Sequence, residues 1–191
     1  MAKAEYRSAV RSRRLINEAL AELMQEKPLD KITVTDVVTR ANLNRGTFYA
    51  HYADIQDVVN RRVEDACQTL REALRARSLQ QEEHPDPAGV LLQLQKFLEG
   101  DITFYRSLLI SSSAAAAVEK IRNVFVEYML EHETDFVVQD KTHYLFDIMF
   151  ASGGLITMYQ DWFNGRLPMT LEQLTERAIT VTRSIAEISG S

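Results

Sequence analysis

Residues 42–55 read NLNRGTFYAHYADI and crowd an arginine, a threonine, two tyrosines and a histidine around one glycine. The chain as a whole is acidic, with a formal net charge of −5, so this much aromatic and basic chemistry needs a reason. Such side chains are either core or contact surface. Elsewhere the residue types of catalysis are present but not grouped. His51, His84, His132 and His143 are scattered, with no HExxH and no Cys/His pattern of zinc spacing. There is no phosphate-binding glycine loop. ASGGL, residues 151–155, lacks the GxSxG form and falls inside a helical pattern rather than after a strand. Cys67 has no base at an obvious spacing and reads as a small packing residue. Neither an enzyme nor a metal or cofactor site is expected.

The elements around residues 42–55 follow from periodicity and caps. Leu15, Ile16, Ala19, Leu20, Leu23 and Met24 keep helical spacing and predict a first helix over Ser8 to Gln25, broken at Pro28. Arg7, Arg11 and Arg14 share another face, either a solvated charged surface or a row of cations for a phosphate backbone. Thr33 with Asp36 three residues on forms a capping-box pattern, so a second helix begins at Val34 and ends near Ala41. Asn42 can take the left-handed conformation there, and Leu43 anchors the turn. Asn44 caps a third helix, from Arg45 to about His51. Only Phe48 and Tyr52, an i, i+4 pair, need face inward on it. Arg45, Gly46, Thr47, Tyr49 and His51 are left outside.

Two short helices joined by a tight turn form the helix-turn-helix pattern, whose second helix enters a DNA major groove. Charge agrees. Residues 1–62 carry 11 basic and 8 acidic side chains, a balance of +3, whereas residues 63–191 carry 11 and 19, a balance of −8. A basic head and an acidic body are the asymmetry of a chain that meets a polyanion at one end. On this reading Arg45 contacts a guanine, and Gly46 and Thr47 allow close approach. Tyr49, His51, Thr33 and Thr35 reach phosphates, and Asn44 is counted among the DNA-binding residues.

The segment ITVTDVVTRANLNRGTFYAHYADIQDVV resembles the DNA-binding part of the tetracycline-repressor (TetR/AcrR) family of bacterial transcription regulators, and GTFYAHYAD is the most specific stretch. The resemblance covers residues 8–62. It implies an all-α protein with a three-helix helix-turn-helix head, residues 1–53, and a larger helical body for effector binding and dimerisation, residues 54–191. The chain departs from the family at Asn42, where glycine is usual, and at Ile55, where a phosphate-gripping lysine is usual. The implied function is a homodimeric repressor on a palindromic double-stranded operator, released by a small apolar effector. An adaptor or co-activator of the same fold, working through protein contacts, is the alternative.

In the body, helices are predicted from Asp54 to about Arg77, then at 87–98, 101–110, 114–132, from Thr142 to about Gly165, and from Thr170 to Ile188. QQEEHPDPAG, residues 80–89, reads as an exposed loop. Leu171, Leu174, Ala178, Val181, Ile185 and Ile188 form a heptad seam, which fits either a core stripe or a helix–helix interface. Gly153 and Gly154 lie mid-helix, where glycine costs roughly 1 kcal/mol against alanine. A close backbone approach would explain them. The resemblance places a dimer interface on these last two helices. Tyr105, Tyr128, His143, Asp147, Tyr159 and Trp162 are core side chains or contacts to an effector; His143 can also serve Asp147 directly. The N-terminus lacks a signal-peptide core, and no window reaches the roughly 18 apolar residues of a membrane span. With a single cysteine, these features predict a cytoplasmic protein without membrane contact.

Overall fold

A computed structural model describes residues 2–78, 87–111, 115–131 and 141–189, and every regular element among them is helical. α1 spans Ala2–Glu26, beginning ahead of the expected Ser8, as the helix-favouring alanines, lysine and glutamate upstream allow. It buries Ile16, Ala19, Leu20, Leu23 and Met24. After Pro28 a single 3-10 turn, Leu29–Lys31, leads into α2, Val34–Arg40. α3 is Arg45–Tyr49 and α4 is Ile55–Ser78. The body continues with α5, Pro87–Gly100; α6, Ile102–Ile110; α7, Ala115–Glu131; α8, Lys141–Phe163; and α9, Leu171–Ser189. Most of the QQEEHPDPAG segment, with His84, lies outside the described residues, as does His132, while its end, from Pro87, is helical.

α4 ties the two regions into one core. Val59, Val63, Cys67, Leu70 and Leu74 recur every three or four residues along it, all nearly inaccessible, in a hydrophobic cluster that runs from Ile16 to Ala178. α7 and α5 pack on α4, and α9 packs on α5 and α8. Burial pushes the Cys67 thiol up, which suits a packing residue.

α6 bridges head and body. Its cap, Asp101, accepts from the Phe104 N–H (3.2 Å) and pairs with Arg62 of α4, whose guanidinium lies 4.1 Å from the Phe104 ring centre. From the other side the Ser107 hydroxyl donates to the Met24 carbonyl (3.4 Å) and the Ser111 hydroxyl to Asp30 (2.7 Å).

Candidate nucleic-acid interface

α2 and α3 are too short to persist alone, so their ends decide their geometry. At the start of α2 the capping box forms in full: the Thr33 N–H donates to the Asp36 carboxylate (2.8 Å), and the Asp36 N–H donates to the Thr33 hydroxyl (3.2 Å). The Lys27 ammonium, 2.7 Å from the same carboxylate, together with the Thr33 hydroxyl and N–H holds the Asp36 carboxyl down at about 2. At the far end Asn42 has φ 52°, the Leu43 N–H reaches the Val38 carbonyl (2.9 Å) and the Asn42 N–H reaches Thr39 (3.3 Å). This is a Schellman closure with asparagine at the left-handed position. Arg40 bridges Glu22 (3.2 Å) and Glu26 (2.8 Å), pinning α2 to α1.

α3 starts on Asn44, whose side-chain oxygen accepts from the Thr47 N–H (2.7 Å) and hydroxyl (3.1 Å). Gly46 fits under that cap, since a Cβ there would sit 3.2 Å from the same oxygen. Phe48 is fully buried and Tyr52 nearly so, their rings 5.9 Å apart, with the Arg61 guanidinium 5.1 Å from the Tyr52 ring centre. Burial raises the Tyr52 phenol pKa against a hydrogen bond to Asn17 of α1. With that pair inside, Arg45, Gly46 and Tyr49 are exposed, Tyr49 by 56%, and Thr47 and His51 are half-buried. Arg45 is also held: its Nη2 donates to the Thr35 hydroxyl at 2.7 Å.

The expected contact residues are not equally free. Arg45 and Thr35 meet where the starts of α2 and α3 come together, Gly46 and Thr47 follow in the first turn of α3, and Tyr49 and His51 lie at and just past its end. The Thr33 N–H and hydroxyl and the Asn44 side-chain oxygen serve the head's own caps instead. The Arg45–Thr35 bond joins residues ten apart on two helices, so no local spacing announces it. Ile55 is half-buried and packs against the core. Of the N-terminal arginines, Arg14 pairs with Glu18 (2.8 Å), Arg11 is exposed, and the Arg7 side chain lies outside the described residues.

The six residues considered for an effector differ in burial and surroundings. Tyr105, Tyr128 and Tyr159 are buried in the core; Tyr105 leans on Phe97 (4.5 Å). The half-buried Trp162 donates to the Met169 carbonyl at 2.7 Å. His143 is exposed and Asp147 half-buried. The cleft between α4 and α7 holds about 30 Å³, room for about two waters, and of the six only Tyr128 lines it. Burial lifts the Tyr159 phenol pKa to about 12. Its hydroxyl makes no well-formed hydrogen bond, and neighbouring Thr175 donates to the Leu171 carbonyl (2.9 Å).

The heptad seam on α9 is unevenly buried. Leu174 and Ala178 are buried within the chain's own core, because α9 packs on α5 and α8; Leu171 and Ile185 are half-buried and Val181 is exposed. The Ile188 side chain lies outside the described residues. α8 also carries an open apolar face. Leu145, Phe146, Met149 and Phe150 are exposed, the two phenylalanines by 65% each with their rings stacked 6.2 Å apart. Gly153 and Gly154 continue that face, and a Cβ at either would meet nothing within 4 Å. α8 is apolar on several sides, so no single face stands out in its sequence.

Comparison with known proteins bears on the head and on the whole fold separately. Residues 16–61 match the model of the bacterial regulatory proteins of the tetR family. Over 62 residues the chain is 31% identical to the uncharacterized HTH-type transcriptional regulator YxbF of Bacillus subtilis, a match covering 32% of this chain and 16% of that protein. The fold is similar to a putative TetR-family regulator from Syntrophomonas wolfei, with TM-score 0.76 and 14% identity over 92% of this chain and 94% of that one. A TetR regulator from Streptococcus agalactiae gives 0.70 and 23% over 95% and 99%. The dihydroxyacetone kinase operon activator DhaS gives 0.66 and 15% over 93% and 97%. Residues 16–61 are thus similar to the tetR family of bacterial regulatory proteins, and the chain as a whole shares the fold of TetR-family regulators.

Proposed function

We propose that the chain acts as a homodimeric transcription regulator that holds a near-palindromic double-stranded operator, represses from it, and lets go when a small apolar effector binds the body. The observation that carries the DNA reading is α3, anchored inward by Phe48 and Tyr52 and presenting Arg45, Gly46 and Tyr49 to solvent. A guanidinium at a helix start can meet a guanine O6 and N7 together, worth about 1–3 kcal/mol of discrimination. Tyr49 and His51 add phosphate contacts that set register and not sequence. Dimerisation is supported by the exposed apolar face of α8 and by its two glycines, for which the described residues offer no steric reason. Release is supported by α6, which packs on α7 and α8 and is bonded to Met24 and Asp30 of the head. An effector that opened a space beside the buried Tyr105 or Tyr159 would move α6 and with it the head.

A second reading, activation or an adaptor role through protein contacts, has two supports: the packed Ile55, and a fold shared with an operon activator. Selection of fragmented genomic DNA at two salt concentrations separates them. The wild type is expected to enrich one palindrome, and Arg45→Ala to lose the preference while keeping salt-sensitive binding. A folded dimer that enriches nothing at either salt would overturn the DNA reading. Effector release is checked by a compound that raises the melting temperature and lowers DNA affinity together.

A further inference from the structure

We propose that Thr35 is a positioning residue: its hydroxyl orients the Arg45 guanidinium for base reading and offers its own proton to a DNA phosphate, linking backbone register to sequence. The inference rests on the DNA-binding reading above. Thr35 lies in the first turn of α2 and Arg45 opens α3, and the Arg45 Nη2 donates to the Thr35 Oγ1 at 2.7 Å. A threonine hydroxyl accepts and donates at once, so taking a bond from Arg45 leaves its proton for an outside acceptor. The nature of the partner matters. Arg14 and Arg40 of the head and Arg61 of α4 are paired with the carboxylates of Glu18, of Glu22 and Glu26, and of Asp57, which offset their charge. Arg45 is steadied by a neutral group, which leaves its charge intact and commits one of five donors. A long side chain ordered before binding loses less freedom on contact.

The experiment measures affinity for the selected operator and for a scrambled duplex, and takes their ratio, for wild type, Thr35→Val, Thr35→Ser and Arg45→Ala. Thr35→Val is expected to lower the ratio about tenfold, within the range that one base contact supplies. Thr35→Ser should restore it. Combined with Arg45→Ala, Thr35→Val should lower affinity for both duplexes without lowering the ratio further. A wild-type ratio in Thr35→Val, or an equal loss of ratio with and without Arg45, would overturn the proposal and leave the DNA reading standing. A wild type without any preference would overturn both. Should Thr35→Val fail to fold, nuclear magnetic resonance of the unbound wild type decides: a restrained Arg45 guanidinium supports the link, and a freely rotating one refutes it.

Discussion

α3 and α8 both turn chemistry outward, and they do so in opposite ways. α3 has five residues, is capped by Asn44, and displays side chains of which several are already hydrogen-bonded. α8 has 23 residues and displays leucine, methionine and phenylalanine, with the two exposed phenylalanine rings stacked on each other. Directional groups fixed beforehand suit a partner recognised by the position of its acceptors. Loose apolar area suits a partner recognised by shape, where the reward scales with surface removed from water. The difference also explains how each helix persists. α3 depends on its cap and on one buried phenylalanine, whereas α8 is long enough that two glycines do not break it.

The sharpest way to break this comparison is to make the same change in both. Phe48→Ala should cost about 3–5 kcal/mol in denaturant unfolding, because a fully buried ring is lost, and the loss should not depend on protein concentration. Phe150→Ala should cost within about 0.5 kcal/mol at concentrations where the chain is monomeric. Equal costs would mean that the α8 face is core after all. Next in size, Phe146→Glu combined with Phe150→Glu should weaken association by about 2 kcal/mol or more, read by sedimentation velocity. Unaltered association would remove this face from the interface.

Smaller effects sharpen the account of the head. Asn42→Ala should destabilise by about 1 kcal/mol, since alanine has no side chain to ease the left-handed backbone, and Asn42→Gly should not. The reverse order in thermal melts would contradict the Schellman closure. The smallest effect is set by acid. The Asp36 carboxyl is held at about 2 against an ordinary 3.8. A depressed carboxyl contributes stability that is present above its unfolded value and is lost as pH falls through the folded one. Asp36→Asn should therefore melt lower than wild type at pH 7, with the gap closing between about pH 4 and pH 2. A gap indifferent to acid would assign the helix start to other groups.

The features legible in the sequence were the ones made within a few residues. The Thr33–Asp36 box, the turn at Asn42, the inward pair Phe48 and Tyr52, and the helix stop at Gly165, with φ 75°, all depend on groups close in the chain. Periodicity carried less. It marked Leu174 and Ala178 as apolar at helical spacing, but spacing does not say whether a stripe meets the same chain or another. The α8 face stayed hidden for the converse reason, since its apolar residues exceed any one stripe. Of the candidate site, residue types and the outward direction of Arg45, Gly46 and Tyr49 were readable. The bond from Arg45 to Thr35 was not, because only the crossing of two helices creates it.

The unbroken line from Val59 to Leu74 on α4 has a consequence for the inheritance of the two regions. Amide protons along that line should exchange only when the whole chain opens, since neither region closes its core without this helix. Stability is then held in common, and wear at one end is felt at the other. A recombination that joined this head to a foreign body would have to cut a helix whose two halves complete different walls of one interior. Surfaces such as the outer sides of α3 and α8 can drift one residue at a time. The helix between them has to change in concert or stay as it is.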